Sequence, residues 1–470
     1  MLLVALGKVC KKSFRGGTIS LNASALSPRI FRAYDVRGLY DEELTEEVIR
    51  RVGQAFGSYI NGGRICLGRD TRVSGPSLQK SFLEGVLSTG CSVDSYGIIP
   101  ISILGYVTRA SIRNAAAYIS ASHNPPEYNG VRFRTEDGYG LLYQKTAMMK
   151  FYQEGGFLSG SGQVADYNPA AAVERYAKYV RDKLELRHQL RVVLDTGNGS
   201  ACIIGPLYEK LGFDPVIING KMDGRFPGRG PNPTEETLQS ARKAVLEKRA
   251  DYGVGFDADA DRGLVIDDRG RMLPPEKVAI IIAKNRYNKH ERKLVISGFD
   301  CSIILERELI PEGFEVQRER VGDVFIANTV KNSGAVLGVE RSGHFFLPEF
   351  QSSDDPFAMS LALGEIISKG QKLSELADLI PDYPFSQSIL RMDKVDTSAV
   401  MKILAEKLAS MNPDRTDGLK ITTDSYSVLI RPSNTEPLIR LSIETEGGDL
   451  KELVEKYETI IRQAAKNRGL

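Results

Sequence analysis

Three segments of the chain repeat one pattern, an apolar strand that begins at a basic residue and ends in a turn of small or polar residues. The segments are residues 64–70, 191–199 and 293–300, spaced about 130 and then about 100 residues apart. Spacings of this size match a small α/β domain. Each strand is apolar throughout, which is typical of a strand buried on both faces of a mixed sheet. The repeat therefore predicts three related α/β domains.

The C-terminal part of the chain departs from this repeat. After the prolines of residues 381–384, the sequence predicts a helix, then strands around 419–445 and a last helix, which together indicate an α+β domain. A second candidate linker is the glycine-rich stretch at 155–168. We expect a tail at residues 1–27, α/β domains at 28–165, 166–270 and 271–380, and an α+β domain at 381–470. Apolar residues at helical spacing predict helices at 42–59, 205–211, 234–248, 397–411 and 450–466.

The composition excludes several classes of function. Charged residues make up 26% of the chain but the net charge is only +2, so we expect neither nucleic acid nor a membrane surface as a partner. The five cysteines are scattered and form no CxxC pair, which fits the reducing cytoplasm and disfavours a disulfide framework or a zinc site. No apolar run approaches the roughly 20 residues of a membrane helix. Lysines follow the apolar residues 1–7, the reverse of the order in a signal peptide. We therefore expect a cytoplasmic monomer or homo-oligomer.

The motif most informative about function lies at residues 255–263, Gly-Phe-Asp-Ala-Asp-Ala-Asp-Arg-Gly. Asp257, Asp259 and Asp261 have strict two-residue spacing, which on a strand would place all three carboxylates on one face. Like charges this close raise one another's pKa unless a cation lies among them. An oxygen-only ligand set favours magnesium or manganese first and calcium second. Because Arg262 adds a fixed positive charge, we also expect an anion such as a phosphate there.

Two other interpretations compete with a metal site of this kind. A calcium loop of the EF-hand type also begins with alternating acids, but it requires glycine at position six and glutamate at position twelve. This chain has Arg262 and Asp268 at those positions. The second interpretation is a solvated acidic turn. The small residues Gly253, Gly255 and Ala258 argue against it, because they indicate a tightly packed backbone.

A second motif covers residues 118–130, Tyr-Ile-Ser-Ala-Ser-His-Asn-Pro-Pro-Glu-Tyr-Asn-Gly. Its two prolines prevent a helix from following the predicted strand at 115–119, so we expect Ser122 on a rigid, exposed turn. His123 is the next residue, and because neighbouring side chains diverge, the pair does not suit the nucleophile and base of a hydrolase. The GxSxG pattern is also absent. Alone, the motif is typical of a structural turn. Beside an acid triplet, it favours a serine that carries phosphate next to a magnesium ion.

Two further motifs carry polar side chains suited to a sugar phosphate. In residues 339–345, Glu340, Ser342 and His344 alternate along an extended segment and suit hydroxyl groups, although this pattern alone is weak. Residues 431–437, Arg-Pro-Ser-Asn-Thr-Glu-Pro, place a guanidinium, two hydroxyls and an amide on a turn bounded by prolines. Such a turn suits a phosphate dianion. The Walker and Rossmann patterns for nucleotides are absent, so a nucleotide ligand is not implied.

Taken together and in this order, the four motifs resemble the α-D-phosphohexomutase family, which includes the phosphoglucomutases and phosphomannomutases. Residues 31–38, Phe-Arg-Ala-Tyr-Asp-Val-Arg-Gly, and 68–75, Gly-Arg-Asp-Thr-Arg-Val-Ser-Gly, extend the resemblance, which spans residues 28–465. The resemblance implies an α/β fold of three topologically related domains with mixed sheets and a C-terminal α+β domain, arranged around a central cleft. This agrees with the repeat and the change in composition described above.

The resemblance also implies a role for each motif. Ser122 would be the phosphoserine, and Asp257, Asp259 and Asp261 would hold Mg²⁺ together with a phosphate oxygen on that serine. Arg262 would steady the transferring phosphoryl group. The other residues assigned by resemblance are Glu340, Ser342 and His344 to sugar hydroxyls, Arg431, Ser433, Asn434, Thr435 and Arg440 to the non-reacting phosphate, and Tyr34 and Arg37 to the cleft near the serine.

The implied reaction is an intramolecular phosphoryl transfer between O1 and O6 of a hexose phosphate. The phosphoserine would give its phosphoryl group to the sugar phosphate, and the resulting bisphosphate would turn over and return its other phosphate to Ser122. We expect one Mg²⁺ per chain as cofactor, a sugar 1,6-bisphosphate as activator and a small-molecule sugar phosphate as substrate.

Three positions depart from the family pattern. Arg132 lies ten residues after the serine, where the family often has lysine. Because arginine stays protonated, we expect it to stabilise charge, and His123 or an acid of the metal site to transfer protons. Asp323 follows a glycine where several members have histidine or tryptophan. Asp354-Asp355-Pro replaces the usual Asp-Gly.

The identity of the sugar is where the sequence is least informative. Asn434 favours mannose or glucose, since phosphoglucosamine mutases more often have glycine at that position. Asp323 favours an amino sugar or a pentose phosphate instead. The sequence therefore predicts a phosphomannomutase or phosphoglucomutase activity, with phosphoglucosamine mutase or phosphopentomutase as alternatives. A sugar-bisphosphate phosphatase, in which water accepts the phosphoryl group, is an alternative of a different class. A non-catalytic relative is disfavoured, because Ser122 and all three acids are present.

Overall fold

The protein is described by a computed structural model, which covers residues 30–32, 34–143, 146–290, 292–393, 395–433 and 437–466. The predicted tail at 1–27 lies outside these residues, as do Asn434 and Thr435. Four sheets, each accompanied by helices, follow one another along the chain. Within the described residues, none of the helices combines the length and apolar character needed to cross a membrane.

The first sheet is mixed and has six strands. They are β1 (Asp35–Leu39), β2 (Arg64–Arg69), β3 (Ser92–Ile98), β4 (Ala115–Ile119), β5 (Tyr128–Thr135) and β6 (Val164–Asp166). Across the sheet the order is β1-β5-β4-β2-β3-β6. β4, β2 and β3 are parallel, whereas β5 runs antiparallel to β4. The accompanying helices are α1 (Glu46–Ile60), α2 (Gly75–Leu87), α3 (Ile101–Ala110) and α4 (Ala147–Glu154).

The second sheet is also mixed and has five strands. They are β7 (Arg191–Asp195), β8 (Asp214–Ile218), β9 (Tyr252–Phe256), β10 (Gly263–Asp267) and β11 (Met272–Leu273), in the order β11-β10-β9-β7-β8. β9, β7 and β8 are parallel and β10 runs antiparallel to β9. β11 pairs with β10, so the second sheet extends just past the expected domain boundary at residue 270. The helices are α5 (Pro169–Arg181), α6 (Gly205–Lys210) and α7 (Gln239–Lys248).

The third sheet has the same plan. Its strands are β12 (Leu294–Gly298), β13 (Glu315–Glu319), β14 (Leu337–Val339), β15 (Phe345–Leu347) and β16 (Gln351–Asp354), in the order β13-β12-β14-β15-β16. β14, β12 and β13 are parallel and β15 runs antiparallel to β14. The helices are α8 (Pro275–Arg286), α9 (Ile304–Leu309), α10 (Asp323–Ser333), α11 (Pro356–Ile367) and α12 (Leu373–Asp378).

The three mixed sheets therefore contain the same four-stranded core with the same connectivity. In each core the first strand lies between the second and the third, and a fourth strand runs antiparallel beside the third. The first strands are β2, β7 and β12, which are the three segments that repeat in the sequence. The prediction of three related α/β domains is confirmed. In every sheet, the loop between the third and fourth strands begins at the carboxyl end of a parallel strand, where open α/β sheets bind their ligands.

The fourth sheet is antiparallel throughout, which confirms the predicted C-terminal α+β domain. Its strands are β17 (Phe385–Arg391), β18 (Leu419–Thr422), β19 (Tyr426–Pro432) and β20 (Leu438–Thr445), in the order β17-β20-β19-β18. Helices α13 (Thr397–Lys407) and α14 (Leu450–Lys466) pack on this sheet around an apolar core of their own.

One continuous apolar core connects the first three units, and α11 is central to it. Every residue of α11 is buried, and the helix packs on both α8 and β10. Asp355 caps α11 by accepting hydrogen bonds from the backbone of Phe357 and Ala358, and Pro356 occupies the first helical position. The unusual Asp-Pro pair noted in the sequence is therefore the start of this buried helix.

Several helices begin or end away from their predicted bounds because local hydrogen bonds intervene. α1 begins at Glu46 and not at 42, since the Thr45 hydroxyl accepts a hydrogen bond from the backbone of Val48. α7 begins at Gln239, because Thr234 and Thr237 bond to each other in a preceding turn. α13 ends at Lys407 and a short 3₁₀ helix follows, whereas α14 has its predicted bounds.

A buried lysine joins the fourth sheet to the third unit. Lys420 lies on β18 and is 5% exposed, and its Nζ donates to the carbonyls of Phe299 (2.9 Å) and Cys301 (3.1 Å). Burial, followed by the nearby charge of Arg318, lowers the pKa of Lys420 to about 7. In the unfolded chain the pKa of a lysine is about 10.4. Between these two values the folded state binds fewer protons than the unfolded state, so the free energy of unfolding rises with pH.

We expect the substitution Lys420→Met to remove this pH dependence. The difference in melting temperature, wild type minus variant, should increase as the pH is raised from 7 to 9, because the wild type alone gains stability as Lys420 loses its proton. Thermal unfolding measured by circular dichroism at several pH values checks this. Lys451→Met, at an exposed position on α14, is the control and should show a constant difference. A constant difference for Lys420→Met would contradict the prediction.

Candidate active site

Three loops occupy equivalent positions in the three mixed sheets, each after the third parallel strand. We name them the serine loop (residues 120–127, after β4), the aspartate loop (257–262, after β9) and the histidine loop (340–344, after β14). Direct contacts connect them. The Ser122 hydroxyl donates to Asp257 Oδ2 at 2.8 Å, although 135 residues separate the two in sequence. The backbone of Gly263 donates to Gly343 O at 3.0 Å.

Ser122 is buried, so the expectation of an exposed turn is wrong. Ser122 is 3% exposed and its φ is +52°, in the left-handed region. The backbone N–H of Ser122 donates to the Ser120 hydroxyl, which in turn donates to Asp70 Oδ2 at 2.7 Å. This chain of hydrogen bonds turns the serine loop inward, where the Ser122 hydroxyl meets Asp257.

His123 also differs from expectation, because its side chain does not diverge from that of Ser122. The left-handed backbone at Ser122 brings the Ser122 Oγ within 3.2 Å of His123 Nδ1. Burial, with the nearby charges of Arg262 and Arg37, lowers the pKa of His123 to about 2. The imidazole is therefore neutral at physiological pH.

A clamp that the sequence analysis left unassigned holds the serine loop in place. Arg72 is fully buried, and its guanidinium donates to four backbone carbonyls of this segment. Its Nε pairs with Asp70 Oδ2 at 3.0 Å. The carbonyls belong to Ser122 (2.6 Å), Asn124 (2.6 Å), Pro125 (2.5 Å) and Tyr128 (3.0 Å). Asp70 and Arg72 belong to the motif at 68–75, but the carbonyls that Arg72 binds lie about 50 residues away in sequence.

The acid triplet converges by a route other than the one expected from the sequence. Its three residues follow β9 in a loop, not on a strand, and Ala260 has a φ of +59°. The loop folds back so that the backbone N–H groups of Asp261 and Arg262 both donate to Asp257 Oδ1 at 3.2 Å. The first residue of α3, Ile101, anchors the loop by donating to Asp259 O at 3.0 Å. The three carboxylates lie close together as predicted, but the fold of the loop brings them together and strand alternation does not.

The triplet fits a hard divalent cation. Each of the three aspartates offers a carboxylate oxygen within 4.8 Å of the other two, and all three residues are fully buried. Among the described residues, Asp259 Oδ1 and Asp261 Oδ1 are buried without a hydrogen-bond partner. Buried oxygens of this kind are costly unless a cation or donor meets them, and oxygen-only sets suit Mg²⁺.

The charges of the triplet are unequally balanced. Burial, and then the charges of Asp261 and Asp259, raise the pKa of Asp257 well above its usual range. Burial also works to raise the pKa of Asp261, but Arg132 and His344 outweigh it and hold that pKa well below its usual range. Asp261 therefore has strong cationic partners, whereas Asp257 has none of comparable strength.

Arg132, on β5, is the main cationic partner of the triplet. Its Nη1 contacts Asp261 and lies 3.1 Å from Asp259 Oδ2, while its Nη2 lies 2.7 Å from Asp323 Oδ2 and 3.8 Å from Asp354 Oδ2. The aspartates raise the pKa of Arg132 well above its usual range against the opposing effect of burial. Arg132 is thus a permanent cation at the place where the three loops meet.

The histidine loop forms a compact hydrogen-bonded unit. Glu340 Oε2 accepts from the Ser342 hydroxyl (2.7 Å) and lies 2.6 Å from His344 Nδ1, and His344 Nε2 lies 3.3 Å from Asp261 Oδ2. Burial alone would lower the pKa of His344, but Asp261 and Glu340 raise it well above its usual range. Gly343 has a φ of +94°, and a side chain there would approach Gly263 O to 3.2 Å, so this position requires glycine.

Asp323, Tyr34 and Arg37 lie around these loops. Asp323 begins α10, and the preceding Gly322 donates its N–H to Glu340 Oε1 at 2.8 Å. The Tyr34 ring packs edge-on against Phe325 with 6.3 Å between centroids. Arg37, on β1, donates from Nη1 to Asn124 Oδ1 of the serine loop at 2.6 Å and from Nη2 to Asp35 Oδ2 at 2.5 Å.

The C-terminal motif is only partly within the described residues. Arg431 Nε lies 3.0 Å from Asp417 Oδ2, which also accepts from the backbone of Val321, immediately before Gly322. Arg440 is exposed and lies directly opposite Arg431 in the β19–β20 pairing. The Ser433 backbone donates to Leu438 O at 2.9 Å. Asn434 and Thr435 lie outside the described residues.

Comparisons with known proteins agree with this fold along nearly the whole chain. Four family models match, described as phosphoglucomutase/phosphomannomutase, α/β/α domain I (residues 28–154), domain II (174–270), domain III (274–383) and the C-terminal domain (390–459). These models, which follow one another in order, cover most of the 470 residues.

Two curated relatives and one solved structure are similar over nearly their full lengths. A phosphoglucomutase/phosphomannomutase of Thermococcus kodakarensis is 32% identical over 454 residues, covering 93% of this chain and 99% of the relative. A probable phosphoglucosamine mutase of Thermococcus gammatolerans is 33% identical over 451 residues, with the same coverage. The crystal structure of a phosphoglucomutase/phosphomannomutase family protein from Burkholderia thailandensis has a TM-score of 0.85 at 25% identity, covering 94% of this chain and 99% of that one.

Fold, sheet order and these matches together define an isomerase of the phosphosugar mutase class, which acts as an intramolecular phosphotransferase. The chain belongs to the α-D-phosphohexomutase family.

The Arg72 clamp leads to a prediction about the serine loop. Arg72→Lys keeps the charge but cannot reach four carbonyls at once, so Ser122 should lose its fixed position. We expect mutase activity to fall by about 10²-fold, as misplacement of a reacting group does elsewhere. Arg69→Lys is the matched control, because among the described residues the Arg69 side chain donates only to the Asp70 carbonyl, and it should change activity less than about threefold. Equal effects of the two substitutions would contradict the clamp.

Proposed function

We propose that the protein transfers a phosphoryl group between O1 and O6 of a hexose phosphate, mannose or glucose, through a phosphoserine at Ser122 and a sugar bisphosphate. The observation that carries this proposal is the buried contact of 2.8 Å between the Ser122 hydroxyl and Asp257, within the acid triplet. When a cation offsets the charge of the three carboxylates, the serine oxygen beside them can carry a phosphate.

Asp257, Asp259 and Asp261 would hold one Mg²⁺ per chain, with a phosphate oxygen on Ser122 as a further ligand. When bound, this ion neutralises negative charge on phosphoryl oxygens. Arg262 supplies the second positive charge of the site. Its Nε is buried without a hydrogen-bond partner among the described residues, so it is free to bind a phosphoryl oxygen.

In each half-reaction the bond between phosphorus and Ser122 Oγ breaks and a bond between phosphorus and a sugar hydroxyl oxygen forms, or the reverse. The sugar hydroxyl loses a proton and the Ser122 oxygen gains one. His123 Nδ1, 3.2 Å from Ser122 Oγ, is the group placed to carry this proton to and from the serine oxygen, because the carboxylate of Asp257 is assigned to the metal ion. The His123 ring is neutral, so its Nδ1 can accept a proton. Arg132 stays protonated and stabilises charge.

The substrate is proposed to lie between the histidine loop and the C-terminal motif. Glu340, Ser342 and His344 would bind sugar hydroxyls, with Tyr34 and Arg37 on the side of the serine loop. The residues proposed for the non-reacting phosphate are Arg431, Ser433, Asn434, Thr435 and Arg440. The register that places Arg431 directly opposite Arg440 supports this assignment, because cross-strand partners project from the same face of a sheet and two cations suit a phosphate dianion.

The sugar identity depends chiefly on Asp323. Its carboxylate pairs with Arg132 at 2.7 Å, so it already has a cationic partner and has less to gain from the ammonium of an amino sugar. This supports a neutral hexose. The second candidate is a glucosamine phosphate, which the name of the Thermococcus gammatolerans relative favours.

A substrate panel separates these candidates. The full chain is incubated with the 1-phosphates of mannose, glucose, glucosamine and ribose, together with Mg²⁺ and a trace of the matching bisphosphate as activator. We expect isomerisation of the mannose and glucose phosphates at higher kcat/KM than of the other two. Higher kcat/KM for glucosamine 1-phosphate would instead establish the second candidate. Release of free phosphate in place of an isomer would indicate a phosphatase and contradict the mutase proposal.

Substitution of the serine tests the covalent step. Ser122→Ala should abolish activity, since no oxygen remains to carry the phosphoryl group. Ser120→Ala is the matched control in the same loop, because its hydroxyl orients Ser122 without contacting the aspartate loop, and it should cause only a partial loss. Retention of full activity by Ser122→Ala would rule out the phosphoserine.

A further inference from the structure

Two of the three departures from the family pattern, Arg132 and Asp323, lie in one cluster of side chains together with Asp354. Arg132, Asp323 and Asp354 come from β5, α10 and β16, and all three are buried. Asp323 and Asp354 both face the guanidinium of Arg132, at 2.7 Å and 3.8 Å. Arg134, two residues further along β5, pairs with Asp354 at 2.8 Å. The two unusual residues, Arg132 and Asp323, are therefore in direct contact in the fold.

The guanidinium of Arg132 contacts two sets of carboxylates at once. Its Nη1 faces the aspartate loop, through Asp259 and Asp261, and its Nη2 faces Asp323. An arginine can do this because its planar group presents donors in two directions, whereas a lysine offers one compact charge. Arg132 therefore lies between the carboxylates assigned to the metal ion and a carboxylate that is not.

A cation in this position competes with a metal ion. Two positive charges that share the same buried carboxylates repel each other, and the repulsion is strong where water is excluded. A divalent ion at the triplet must weaken the ion pairs of Arg132 with Asp259 and Asp261. Asp323 pairs with Arg132 outside the triplet, so the guanidinium keeps a negatively charged partner when its ion pairs with the triplet are weakened.

We propose that Arg132 is a positioning residue that acts as an internal counter-cation of the aspartate loop, and that Asp323 sets Mg²⁺ affinity by drawing Arg132 away from it. Before the ion binds, Arg132 balances Asp259 and Asp261. When the ion binds, Arg132 is retained by Asp323. This inference rests on the proposed role of the aspartate loop in holding Mg²⁺, and it adds a determinant of affinity outside the ligands themselves.

The two members of the pair should affect metal affinity in opposite directions. Isothermal titration of the dephosphorylated full chain with Mg²⁺ measures the affinity directly, without reference to mutase activity. Arg132→Gln removes the competing cation and should tighten Mg²⁺ binding by about 5-fold or more. Asp323→Asn leaves Arg132 with fewer partners outside the aspartate loop and should weaken binding by a similar factor. The second substitution is isosteric, so it provides a test even if the first disturbs folding, which circular dichroism and the melting temperature will report.

The double variant distinguishes this coupling from a simple change of charge. If Asp323 acts through Arg132, Asp323→Asn should have little effect on Mg²⁺ affinity in the Arg132→Gln background. An equal weakening in both backgrounds would mean that Asp323 acts as a distant negative charge, and the proposal would be overturned. Weaker binding by Arg132→Gln would overturn it as well.

A matched control tests whether position matters. Arg113→Gln removes an arginine of the same unit that pairs with Asp94, outside both the aspartate loop and the cluster around Arg132, and it should change Mg²⁺ affinity less than about twofold. If it tightens binding as much as Arg132→Gln does, the effect is one of overall charge and the proposal fails. Absence of Mg²⁺ binding by the wild type, both dephosphorylated and phosphorylated at Ser122, would instead contradict the proposed metal site, so the two failures are distinguishable.

Discussion

Three buried carboxylates in one short loop impose the electrostatic constraint on which the rest of the site depends. Isolated charges in an apolar interior cost several kcal/mol each, so Asp257, Asp259 and Asp261 need cationic partners or an ion. Arg132 supplies positive charge beside Asp259, and His344 lies beside Asp261. The serine hydroxyl donates to Asp257, the member whose pKa is raised by burial and by the other two aspartates. The position of Ser122 is thus connected to the charge balance of the loop.

The repeated topology makes this convergence possible. Each mixed sheet ends its third strand at the same edge, so each unit contributes one loop from an equivalent place. The loops differ in chemistry: a serine and histidine in the first, carboxylates in the second, a glutamate and histidine in the third. A chain of contacts continues to the fourth unit, since Glu340 binds Gly322 and the adjacent Val321 binds Asp417, the partner of Arg431. All four units are therefore linked through polar contacts at the candidate site.

The sequence was sufficient to predict the architecture and to single out the three loops that meet at the candidate site, because both depend on local patterns. Apolar strands followed by small residues marked β2, β7 and β12, and the motifs marked the three loops. Three features could not be read locally. The burial of Ser122 depends on Arg72 and on carbonyls distant in sequence, the closeness of His123 depends on one left-handed residue, and the pairing of Arg132 with Asp323 joins positions 191 residues apart. Long-range contacts of this kind leave no periodic signal in the sequence.

We propose that Ser122 exchanges a phosphoryl group with a sugar phosphate while it lies beside the acid triplet. The most direct measurement is to incubate the full chain with Mg²⁺ and glucose 1,6-bisphosphate labelled with ³²P, and to locate the label by peptide mapping. We expect label on the peptide that contains Ser122, and its removal when unlabelled glucose 1-phosphate is added. Label on another residue, or free phosphate without any labelled protein, would contradict the account.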